Sequence, residues 1–185
     1  MAQPATINLG HWALGAAACV ALGATATVAH ADDPCSAFTW DVTHERALFA
    51  SVALGLTAGA TPETAPVIEV DHAYRLALGA PAGVHFAAQP GKSTAADGTF
   101  AGLLRISVAN AGTYRIALDQ GSWLDVVADG TALRALDYQG RSGCSSPHKI
   151  VEFAFPAGKL LLLQLSGAGT PTVTLTVTRS PTPPN

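Results

Sequence analysis

The side chains equipped for chemistry in this chain are few and scattered. Beyond a leader-like N-terminus stand His44, His72, His85 and His148, with no H-x-H or H-E-x-x-H pairing among them. His148 and Glu152 form an H-x-x-x-E pair that on a helix would share one face. Their surroundings are strand-like instead, and four residues at about 3.3 Å each set them roughly 13 Å apart, too far to share a metal ion unless the strand breaks at Pro147. The plain alternative is a surface pair beside a loop, so neither a metal site nor a cofactor is expected. Trp123 and Asp125 take the same face of one strand, an arrangement with which sandwiches grip sugars; the competing role for Trp123 is to shield the edge of the core. Gly140, Arg141, Ser142 and Gly143 belong to a long polar loop of the kind that lines ligand grooves. Trp123, Asp125, Arg141, His148 and Glu152 are therefore the candidate ligand-binding residues. No G-x-S-x-G elbow is present, and Ser145-Ser146 near His148 is a polar loop rather than a nucleophile site. His72 is expected on an apolar strand face as a hydrogen-bonded core or rim histidine. His44-Glu45-Arg46 is expected as the solvated start of a helix.

Two cysteines frame these candidates. No Asp, Glu, Lys or Arg occurs before Asp32, and an Ala-rich apolar run ends in Ala29-His30-Ala31. That matches a secretory signal peptide over residues 1–31 with an A-x-A cleavage site. Cleavage removes Cys19 and leaves Cys35 and Cys144 in an oxidising compartment, where a pair normally bridges. A Cys35–Cys144 disulfide is expected, clipping the first mature segment onto the domain. Location is expected to be periplasmic or secreted, with no stable membrane span after cleavage.

The elements that must position the candidates read as β structure from Val67 onward. Ile68, Val70, Tyr74, Leu76 and Leu78 alternate along one predicted strand; Leu104, Ile106 and Val108 mark the next, and Tyr114, Ile116 and Leu118 a third. Trp123 to Val127 and Thr131 to Leu136 flank Asp129-Gly130, whose residue types suit the positive φ angles of a tight hairpin turn. Lys149 to Phe155, Leu160 to Leu165 and Thr172 to Thr178 follow. The continuously apolar Leu160 to Leu163 suits a central strand buried on both faces. A short strand near Gly83 to Ala88 brings the count to about eight. One helix of two or three turns begins near Asp41, with Asp41 or Thr43 as its cap. The fold class expected is all-β, an antiparallel β-sandwich, jelly-roll-like, with one short N-terminal helix. It spans residues 32–179 and is followed by a disordered Pro-rich tail over 180–185.

Composition narrows the function classes. In 185 residues, hydrophobic side chains make up 49% and charged ones 12%, with ten Lys and Arg against thirteen Asp and Glu. A chain so apolar is not disordered, and without a basic block it is not expected to bind nucleic acid. The segments Phe38-Thr39-Trp40-Asp41-Val42, Gly112-Thr113-Tyr114-Arg115-Ile116, Trp123-Leu124-Asp125-Val126-Val127 and Lys149-Ile150-Val151-Glu152-Phe153, with Cys35 and Cys144, resemble a group of small exported proteobacterial proteins without an established role. Some of those carry the label homogentisate 1,2-dioxygenase. That enzyme is a larger cupin-type iron protein with a cluster of histidines and a glutamate, so the resemblance carries over no catalytic residue. The strand order is also similar to pre-peptidase C-terminal sandwiches, an architectural likeness.

The function expected is a noncatalytic periplasmic β-sandwich that binds a small molecule, a glycan or an envelope protein. The alternative implied by the label is an iron-dependent dioxygenase that cleaves an aromatic ring; only His148, Glu152, His44 and His72 would be available to hold its metal. A third possibility is a structural, disulfide-clipped domain without a small ligand.

Overall fold

Two sheets face each other across a core of alternating Leu, Ile, Val and aromatic side chains. The computed structural model describes residues 33–92 and 96–181. The expected signal peptide lies outside the described residues, as does the tail beyond residue 181. The elements are α1 (Thr43–Phe49), β1 (Leu54–Thr57), β2 (Val67–Ile68), β3 (Ala73–Ala77), β4 (Phe100–Ser107), β5 (Gly112–Leu118) and β6 (Trp123–Ala128). They continue with β7 (Thr131–Ala132), β8 (Asp137–Gly140), β9 (Lys149–Phe155), β10 (Leu160–Ala168) and β11 (Thr172–Arg179). One sheet runs β1-β3-β11-β5-β9-β8 and the other β2-β4-β10-β6-β7.

The pairing is that of a jelly roll. β3 pairs with β11, β4 with β10, β5 with β9 and β6 with β7, so the chain behaves as one long folded hairpin wound across both sheets. Its tip is the Asp129-Gly130 turn, where both residues have positive φ, 50° and 76°, as the sequence predicts. Two edge pairs depart from the expected antiparallel pattern: β1 runs parallel to β3, and β2 parallel to β4.

Three sequence expectations are corrected. The predicted strand from Val67 to Leu78 is broken, because Asp71 takes φ 60° and the chain changes sheet there. Ile68 and Leu76 still reach one core, from opposite sides of it. The break also puts His72 in solvent, its Nδ1 against the Val70 carbonyl at 2.9 Å, rather than on an apolar strand face. Second, Gly83–Ala88 forms no strand. The Gln164 side-chain amide takes the place of a neighbouring strand, its Oε1 accepting from the N–H groups of Ala87 and Ala88 and its Nε2 donating to the Ala88 carbonyl. This pins Val84, Phe86 and Ala88 over Leu103, Val127 and Leu162, so β10 is buried on both faces from Leu161 to Leu163 as its apolar run predicts, while Leu160 at its start is exposed. Third, Glu45 is not solvated. It is 2% exposed, because α1 lies on the outer face of the six-stranded sheet.

That outer face explains much of the N-terminal segment. Val42 packs on Ala117 and Ile150, with Phe38, Trp40 and Phe49 around them. Asp41 Oδ1 accepts from the Thr43 N–H and so satisfies one of the helix's orphan donors. Thr178 Oγ1 donates to Glu45, and Arg115, 5% exposed, donates to Glu152 and to the Asp41 carbonyl beneath the Trp40 ring. The expected disulfide joins Cys35 to Cys144. Ser180, placed in the tail by the sequence, donates its N–H to the Thr113 carbonyl and its hydroxyl to Glu152.

Candidate binding site

β6 and β7 begin as a regular hairpin, with Ala128 opposite Thr131 and Val127 opposite Ala132. Continuing that register would set Leu136 opposite Trp123. The second strand stops sooner. After the Leu133 N–H donates to the Val126 carbonyl, the chain crosses to the other sheet, where the Leu136 N–H donates to the Glu152 carbonyl. The Trp123 end of β6 is left without a neighbour on that side, and a mouth opens between the two sheets under the crossing segment.

The mouth leads into a cavity of about 360 Å³, at the small end of the range of roughly 300–1,000 Å³ common for ligand sites. Leu124, Leu133, Val151 and Phe153 form its apolar wall, and Trp123, Asp125, Tyr138 and Lys149 its polar border. Trp123 Nε1 donates to Asp125 Oδ1 at 3.0 Å, and the Gly91 N–H donates to Asp125 Oδ2 at 3.2 Å. Lys149 begins β9 in phase with Val151, Phe153 and Phe155, whose side chains all enter the core. Its position therefore aims an ammonium inward. Nζ lies 5.5 Å from the centre of the Trp123 ring and donates to the Ser122 carbonyl at 3.0 Å. Burial lowers the Lys149 pKa below the ordinary lysine value; the Asp125 charge opposes that shift and Lys92 adds to it.

The five candidates from sequence divide among three places. Trp123 and Asp125 meet at the mouth. Arg141 and His148 belong to the loop closed by Cys144: Arg141 Nε donates to the Ala37 carbonyl with its guanidinium over Phe38, and His148 Nδ1 lies 3.2 Å from the Cys144 carbonyl. Glu152 lies on the outer face of the six-stranded sheet, bound to Arg115 and Ser180. A larger open groove of about 800 Å³ runs past Arg115 and Glu152, but their charges are already committed to each other. Lys149 is the residue that sequence reasoning missed. Its signal was present, a lone charge in the inward phase of a strand that is otherwise apolar at those positions.

Among the described residues, no three His, Cys, Asp or Glu side chains gather as a set of metal ligands, and no helix is long and apolar enough to cross a membrane. No protein-family model matches the chain, and no curated protein matches it.

Proposed function

We propose that this chain is an exported, noncatalytic binding protein whose site is the mouth between the two sheets. The observation that supports it is the cavity itself, an apolar hole with a few convergent polar groups where the roll leaves the Trp123 end of β6 without a partner on one side. The Cys35–Cys144 bridge agrees with an oxidising compartment and with the leader-like N-terminus. A cavity this small suits a small molecule better than an extended glycan or a protein segment.

The test uses 1-octanol and octanoate as probes, in wild type and in Ala135→Trp, which places an indole at an exposed position on the cavity border. Both probes are expected to raise the wild-type melting temperature saturably, since a ligand that binds only the folded state stabilises it by mass action. Ala135→Trp is expected to melt near the wild-type temperature without either response. No response in wild type, or an equal response in the plugged variant, would overturn the proposal.

A further inference from the structure

Lys149 is chemically out of place in its surroundings. An ammonium carries three donors, and Lys149 spends one on the Ser122 carbonyl. Among the described residues it forms no ion pair; the five ion pairs of the structure involve other side chains. The nearest source of negative charge at the mouth, Asp125, has one oxygen bonded to the Trp123 indole and the other to the Gly91 N–H. Asp125 therefore acts on Lys149 through its charge alone, and the ammonium faces an apolar cavity with donors to spare and no carboxylate bound to it.

From this we infer that the mouth takes a small monocarboxylate with an apolar body, its carboxylate on Lys149 and its body against Leu124, Leu133, Val151 and Phe153. The inference rests on the proposed reading of the mouth as a binding site and adds the chemical class of the ligand. A cationic ligand would face Lys149 as a like charge. A neutral glycan would bring many hydroxyls to a mostly apolar wall, where each polar group left without a partner costs binding energy. An anion with an apolar body meets both halves of the cavity, and in a partly desolvated site an ammonium–carboxylate hydrogen bond is among the stronger kinds.

Three probes with the same eight-carbon chain separate the terms: octanoate, 1-octanol and octylamine, titrated near neutral pH by calorimetry. Wild type is expected to bind octanoate at least about tenfold tighter than octanol, the scale of one charge-assisted hydrogen bond, with octylamine weakest. Lys149→Met is expected to keep the octanol affinity and lose the octanoate preference, and Lys149→Arg to retain a preference for the anion. Equal binding of octanoate and octanol by wild type would overturn this inference while leaving the binding-site reading intact. Binding of neither would overturn both. The wild-type comparison needs no variant to fold, and a Lys149→Met protein that still prefers octanoate would also overturn the inference.

Discussion

Lys149 places a charge where β9 otherwise sends Val151, Phe153 and Phe155, and the cost of that placement is readable in pH. Burial holds its folded-state pKa below the ordinary value, with Asp125 opposing the shift. In the unfolded chain the proton stays on to about pH 10.4, the ordinary lysine value. Between the two pKa values the unfolded chain therefore binds more protons than the folded one, and this group's contribution to stability rises with pH. Below the folded pKa the full penalty of a buried ammonium is present. Lys149→Met lacks the group, so raising the pH from 7 towards 10 should shift the stability difference, wild type minus variant, in favour of wild type. Urea unfolding of both proteins across that range checks it; a constant difference would mean that the ammonium stays fully hydrated. Trp123 and Asp125 were legible as a pair because a strand's period of two sets residues i and i+2 on one face. Glu152 was legible as a polar residue but not by its role, since Arg115 and Ser180 reach it from remote stretches of chain.

At the scale of elements, the β6–β7 turn both ends the folded hairpin and sets where the mouth begins. Asp129 and Gly130 were readable because few residue types accept two successive positive φ angles. The length of β7 was not, since Leu133 and Leu136 are as apolar as the paired positions before them, and local pattern cannot say which sheet claims them. A Cβ at Gly130 would meet nothing within 4 Å, so Gly130→Ala tests the backbone alone. Holding an alanine in the left-handed region should cost about 1–2 kcal/mol, read as a lower urea midpoint with an unchanged slope. An unchanged midpoint would show that the turn relaxes to another type. The same ambiguity broke the Val67–Leu78 strand. Ile68 and Leu76 keep their alternation because the inner faces of the two sheets look alike in sequence, and only the positive φ at Asp71 marks the crossing.

For the molecule as a whole, strand number and spacing were enough to indicate a jelly roll, because an apolar face every few residues leaves two packed sheets as the economical burial. Short edge pairs such as β1 with β3 carry too little pattern to announce themselves. The disulfide was legible from compartment and cysteine count, and its place in the fold assigns it a global role. It ties the segment before α1 to the loop before β9, closing 109 residues of chain around most of the roll. Removing such a closure from the unfolded ensemble is worth at most about 4–5 kcal/mol in the chain-entropy account. Other ties secure the same segment: Thr39 to Gln139, Arg141 to the Ala37 carbonyl, and the Arg115 cluster under α1. The native contacts should therefore survive the cut, with the loss falling on the unfolded side of the equilibrium. Cys35→Ser/Cys144→Ser, which leaves neither described thiol free, should keep its far-ultraviolet spectrum while its melting temperature drops by up to roughly 8–20 °C, at about 2–4 °C per kcal/mol for a domain of this size. An unchanged melting temperature would mean that the long loop is already closed in the unfolded chain, and a lost spectrum that the clip, rather than the apolar core between the sheets, holds the roll together.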